Sequence, residues 1–250
     1  MRAQLACALA CCVGCFDKEP TLTLAELPDL IVHVDAAEAP WTSADPPRES
    51  HVEIRVLVFH DYDKRTCPEL EPSFAVTANG VPLAEIELGG FDDNDNCDAP
   101  MARATFVQSA DLGEDVDVVV SDHTRTVHAS FPGLLSRSSI SVAEPIGALA
   151  QAAKVRLIWA PEDLADARGD GVDTRFTQLA PPYAEMKMSS GYALVDGNEI
   201  RLSVPETLTW TGPTQLAISN IQLPYEAVAC NILACGAERR AAAAVTVDLQ

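Results

Sequence analysis

The 250 residues carry 37 Asp and Glu against 17 Lys and Arg, a formal net charge of −20. A field of that sign repels phosphate backbones and anionic lipid headgroups, which argues against nucleic acid as a partner and leaves basic surfaces and metal cations electrostatically open. At 48% hydrophobic the chain can bury a real core, but aromatics are only 6%, so Val, Leu, Ile and Ala must do most of the packing.

In chain order the first feature is a minimal positive start, Met1-Arg2, followed by Ala3 to Gly14, apolar apart from Gln4. That is the size of a signal-peptide apolar region and too short to span a bilayer. It ends in Cys12-Val13-Gly14-Cys15. This resembles the lipobox of bacterial lipoproteins, in which a small residue precedes a cysteine that becomes the lipidated N-terminus. Gly14 and Cys15 match the pattern, and Cys12 stands where the family usually has Leu. Ala8-Leu9-Ala10-Cys11 is a second match, with a shorter apolar region before it. The resemblance implies a cleaved signal over 1–14, lipidation of Cys15, a tether over 15–21, and a lipid-anchored location in the bacterial cell envelope, outside the cytoplasm. Phe16-Asp17-Lys18-Glu19-Pro20 supports cleavage there, because it ends the apolar run abruptly. An unlipidated secretory signal and a buried N-terminal helix are the alternatives.

Downstream the periodicity is that of strands. His51 to Phe59 begins as a polar–apolar alternation of period two. Ser73 to Ala78 precedes Asn79-Gly80, a strong hairpin signal, and Val81 to Leu88 continues until Gly89-Gly90 stops it. Ala102 to Gln108 is a further short strand. Val116 to Val120 passes through Ser121-Asp122-His123 into Thr124 to Phe131, a hairpin rich in β-branched residues. This hairpin resembles the last two strands of immunoglobulin-like bacterial surface modules, with His123 in place of the usual Gly. The resemblance spans about twenty residues and implies a β-sandwich with Greek-key connections, without specifying a function.

Glu144-Pro145 to Ala153 is Ala-rich and lacks alternation, which marks a boundary with room for a short helix. Strands resume at Lys154 to Trp159. Met186 to Met188, Tyr192 to Val195, Glu199 to Val204, Leu208 to Trp210 and Gln215 to Ile221 follow. Ala241 to Ala244 has helical propensity, but Val245 to Leu249 reads as a strand. Short strands at this spacing predict an all-β fold of two tandem β-sandwich, immunoglobulin-like domains, over 22–143 and 144–250.

Beyond the signal and Cys15 the cysteines are Cys67, Cys97, Cys230 and Cys235. They permit three pairings. Proximity favours Cys67–Cys97 and Cys230–Cys235, and an exported location makes disulfides the natural state. The densest acidic loop runs from Phe91 to Asp98. Hard oxygen ligands gathered on one loop bind Ca²⁺, and Asp93, Asp95 and Asn96 are the candidate ligands. The EF-hand spacing is missing, and the plain reading is an exposed Asp/Asn turn held by Cys97. Asp166 to Asp173 is a second acidic loop, whose Arg168-Gly169-Asp170 resembles integrin-binding tripeptides; otherwise it is a solvated connection. His60-Asp61-Tyr62-Asp63 is a metal candidate at a strand end.

The chain has no His-Glu-x-x-His, Gly-x-Ser-x-Gly or Ser-x-x-Lys motif, no Walker loop and no dinucleotide fingerprint. No cofactor other than Ca²⁺ is expected. The sequence therefore points to a membrane-anchored envelope lipoprotein acting as a non-catalytic binding or structural module, with an envelope protein or glycan as ligand. A secreted hydrolase with a loop-borne acid or metal is the alternative.

Overall fold

The computed structural model describes residues 21–27, 29–39, 51–59, 67, 69–91, 97–107, 112–160, 172–188 and 191–250, and no helix occurs among them. The first half contributes β1 (Ile31–Ala39), β2 (His51–Phe59), β3 (Ala75–Ala78), β4 (Val81–Pro82), β5 (Glu85–Glu87), β6 (Gly90–Phe91), β7 (Cys97–Asp98), β8 (Met101–Val107), β9 (Val116–Ser121) and β10 (Thr126–Phe131). The second adds β11 (Ser139–Glu144), β12 (Lys154–Ala160), β13 (Asp173–Gln178), β14 (Glu185–Met188), β15 (Leu194–Asp196), β16 (Glu199–Ser203), β17 (Gly212–Glu226), β18 (Ala229–Cys230) and β19 (Ala234–Leu249).

Alternation decides how these strands layer. In β9 the even residues Val116, Val118 and Val120 are buried, and opposite them in β10 so are Val127, Ala129 and Phe131. They form the inner face of a five-stranded sheet, β18-β10-β9-β3-β4. Facing it are Val32, Val34 and Ala36 of β1, Val52, Ile54, Val56 and Val58 of β2, and Ala102 and Phe106 of β8. These belong to an eight-stranded sheet ordered β14-β13-β17-β19-β1-β2-β8-β5. Full burial of each such Val, Leu or Ile contributes about 1.5–3 kcal/mol, so this interior drives the packing.

A second core forms on the same face of the eight-stranded sheet. Phe176, Leu216, Ile218, Ile221, Ala241 and Val247 pack against Val155, Leu157, Trp159, Ile200 and Leu202. The last five come from a four-stranded sheet, β11-β12-β16-β15. The odd residues Ala237, Arg239, Ala241, Ala243, Val247 and Leu249 of β19 are all buried, so this 16-residue strand lines both cores with one edge row. β17 keeps pace by a bulge between Ile218 and Ile221, where two residues oppose Ala242 alone. Asn220 takes φ 63 there, a left-handed conformation that Asn tolerates better than most residues. Without the extra residue, Ile221 and Leu223 would point to the outer face.

The two-sandwich, all-β class is thus the observed one, and the two sandwiches share a sheet. The core changes over between Leu135 and Ile140. The β17–β19 hairpin crosses that division: Ala237 belongs to the first core, Ala241 to the second, and β18 pairs with β10. β1 pairs in parallel with β19, which joins the N-terminal strand to the C-terminal one.

Three local expectations are corrected. Val81 to Leu88 is not one strand: β4 lies in the five-stranded sheet and β5 pairs with β8 in the eight-stranded one, with Leu83 buried at the corner. The 145–153 connection holds no helix; Leu149 instead forms a parallel bridge with Leu249. Leu208 to Trp210 is not a strand, although Leu208 is buried.

Candidate functional site

The outer face of the four-stranded sheet carries a cleft of about 470 Å³. Because Val155, Leu157 and Trp159 of β12 point inward, Arg156 points outward; the same logic turns Arg201 outward between Ile200 and Leu202 of β16. The register sets Arg156 directly opposite Arg201. Like charges placed so repel, and Glu199 offsets this by accepting hydrogen bonds from Arg156 Nη1 at 2.7 Å and Arg201 Nη2 at 2.8 Å. Glu144 takes Arg156 Nη2 at 3.2 Å. Arg201 first, then Arg156, hold the Glu199 carboxyl below the ordinary carboxylate range, and Glu199 in turn raises both guanidinium groups.

Around these charges stand Lys154, the exposed side chain of Leu194 and the half-buried ring of Tyr192. The Tyr192 hydroxyl donates to the Ser203 carbonyl, and burial raises the pKa of that phenol. Lys154, Arg156 and Arg201 thus stand beside apolar surface, with Glu144, Glu199 and, at 3.7 Å from Arg201 Nη2, Asp196 as the carboxylate partners of the two arginines. Among the described residues no histidine or cysteine lines the cleft.

A second hollow, of about 520 Å³, is lined by Asn79, Glu114, Asp115 and Asp117. Asn79 and the Asp115 carboxylate are committed to the fold. Asn79 Nδ2 donates to the Asp115 carbonyl at 2.8 Å and its Oδ1 accepts the Asp117 N–H at 2.6 Å. Asp115 Oδ1 accepts the Gly133 N–H at 2.7 Å. Among the described residues no group of three or more His, Cys, Asp or Glu is placed to hold a metal ion.

The sequence-derived candidates fall in different places. Cys67 is bonded to Cys97 and Cys230 to Cys235, the pairing that proximity favours. The lipidation candidate Cys15, the Ca²⁺ candidates Asp93, Asp95 and Asn96, the Arg168-Gly169-Asp170 tripeptide and the His60–Asp63 stretch all lie outside the described residues. The cleft was not among the candidates, since Arg156, Glu199 and Arg201 are far apart in sequence and read as ordinary outward strand positions.

No protein-family model matches the chain, and no curated protein matches it. Among solved structures it is similar to the selenomethionine-substituted chicken interferon gamma receptor alpha chain, at 9% identity and a TM-score of 0.23, over 67% of this chain and 82% of that one. At that TM-score the likeness carries no argument, and the all-β architecture rests on the strands themselves.

Proposed function

We propose that this chain is a lipoprotein of the bacterial cell envelope, tethered through Cys15, and that it serves there as a non-catalytic binding or structural module. The apolar Ala3–Gly14 segment ending in Gly14-Cys15 is the observation that carries the tether. The disulfides Cys67–Cys97 and Cys230–Cys235 support an oxidising compartment outside the cytoplasm. The ligand is an envelope component whose polar groups meet Lys154 and the carboxylate-paired Arg156 and Arg201 while an apolar portion lies against Leu194 and Tyr192.

Cell fractionation of the wild type and Cys15→Ser tests the tether. The wild type is expected in the detergent phase of the membrane fraction and the variant in the soluble fraction. Equal solubility of the two rejects the anchor. Cross-linking in intact cells, comparing wild type with Arg156→Ser/Arg201→Ser, tests the binding face. Loss of a cross-linked envelope component in the variant supports it, and identical products reject it.

A further inference from the structure

We infer that one end of the first sandwich, carrying the exposed side chains of Leu233 and Phe91, rests on the lipid surface, and that the Arg156–Arg201 cleft is held away from it. This rests on the tether at Cys15.

The geometry begins where the N-terminal chain joins the fold. The Leu22 N–H donates to the Glu69 carbonyl at 2.8 Å, and the Leu24 N–H to Asp122 Oδ2 at 2.6 Å. Asp122 lies in the turn between β9 and β10, so the chain is fixed at that end of the five-stranded sheet. In the eight-stranded sheet the same end is marked by Ile31, which lies opposite Phe59 on one side and Ala234 on the other. Asn231 ties the tip of the β17–β19 hairpin to it. Its Oδ1 accepts the His128 N–H at 2.9 Å and its Nδ2 donates to the Thr126 carbonyl at 3.1 Å.

Two apolar side chains project from this end. Leu233, on the loop closed by Cys230–Cys235, is 69% exposed, and Phe91, beside Cys97 in the β6–β7 pair, is 51% exposed. The strands that follow them, β19 after Leu233 and β8 after the β6–β7 pair, are separated by β1 and β2, so these two strands lie roughly 14 Å apart along the sheet at about 4.8 Å per strand. Both disulfides stiffen the loops that present them.

Lengths decide the orientation. From Cys15 to the anchored Leu22, a fully extended chain spans at most about 25 Å. β19 runs from Ala234 at this end to Leu249 at the other, a distance of about 50 Å at roughly 3.3 Å per residue. A tether about half the length of the molecule cannot carry over to the far end. The tether therefore keeps the Leu22 end within about 25 Å of the bilayer, the exposed Leu233 and Phe91 supply that end with an apolar contact, and the second core, which begins on β19 at Ala241, lies beyond the first. The acidic charge disfavours anionic headgroups, so the contact is apolar and with a zwitterionic surface.

The test uses full-length protein purified from detergent-solubilised bacterial membranes and reconstituted into phosphatidylcholine vesicles, with plain or brominated acyl chains. Leu233→Trp and Phe91→Trp report the proximal end, and Leu194→Trp reports the cleft, each read as the emission added over wild type. The expected result is loss of the added emission in brominated vesicles for the two proximal variants and none for Leu194→Trp. Unchanged emission from both proximal variants, in protein that floats with the vesicles, overturns the orientation and leaves the tether standing. Wild-type protein that does not float rejects the tether, and the orientation with it.

Discussion

Arg239 is fully buried and Glu38 is 6% exposed, and they meet where one core gives way to the other. Arg239 donates to Glu38 Oε1 from Nε at 3.0 Å and from Nη2 at 2.6 Å, and Nη2 also reaches Ser138 Oγ at 2.9 Å. Glu38 Oε2 accepts the Ala242 N–H at 2.8 Å, just past the last rung of the β1–β19 ladder, Ala37 opposite Arg240. The carboxylate thus neutralises a buried cation and continues the parallel ladder by one bond. Removing one partner of such a pair costs about 3–5 kcal/mol, because the other charge is left uncompensated. Glu38→Gln keeps an acceptor for Ala242 and should lie at the low end, about 3 kcal/mol; Glu38→Ala also strands that N–H and should lie at the high end. For a chain of this length each kcal/mol moves the melting temperature by about 2–4 °C, so Glu38→Gln should melt about 6–12 °C lower. Arg239 Nη1 has no hydrogen-bond partner, a cost that Arg239→Met removes. The double variant Glu38→Gln/Arg239→Met should therefore recover to within about 2 kcal/mol of wild type. Denaturant unfolding of wild type, both single variants and the double variant measures the coupling. Strict additivity, or a Glu38→Gln loss below about 1 kcal/mol, would refute the role given to this pair.

Other outcomes follow from the same structure. Cys67→Ser/Cys97→Ser opens a loop of sequence separation 30 and should cost about 3–4 kcal/mol by chain entropy, whereas Cys230→Ser/Cys235→Ser opens one of 5 and should cost about 2 kcal/mol; urea midpoints rank them, and the reverse order contradicts the loop-length reasoning. Burial opposes ionisation of Asp122, but hydrogen bonds from the Leu24 N–H, the Thr124 hydroxyl and the N–H groups of Thr124 and Arg125 prevail and hold its pKa below the ordinary value. A lowered folded-state pKa stabilises above the unfolded value and is lost as pH falls through the folded one, so stability should drop on acidification below about pH 4, and Asp122→Asn should flatten that limb. An unchanged acid limb in the variant would exclude this assignment. Asn79→Ala loses two hydrogen bonds and a residue suited to φ 50, and should cost about 1–3 kcal/mol by thermal melting; a neutral effect would show that the turn is not held by that side chain.

Much of the fold was legible because period-two burial writes itself into valine-rich segments. β2, β9, β10, β12 and β16 all begin within a few residues of where alternation begins. The Asn79-Gly80 turn was equally plain, since φ values of 50 and 78 are what those residues tolerate. What stayed hidden is long-range. Nothing local in Ile31–Ala39 says that it pairs in parallel with β19, some two hundred positions away. Ala241–Ala244 has helical propensity, yet pairing with β17 and burial of Ala241 and Ala243 in the second core hold it extended. The far end of β17 around Pro224 carries a residue that normally ends strands, so its reach to Glu226 is set by the partner strand. The cleft was hidden for the same reason: Arg156 and Arg201 become neighbours only through the β12–β16 register.

The central claim is the lipid tether, and intact-mass and peptide mass spectrometry of protein extracted from the membrane fraction test it most directly. The predicted result is a mature chain that begins at Cys15 and bears a glyceride-linked acyl adduct on that residue, consistent with the need for more than one acyl chain for stable anchoring. A chain that retains residues 1–14, or that begins at Cys15 with a free thiol, would contradict it.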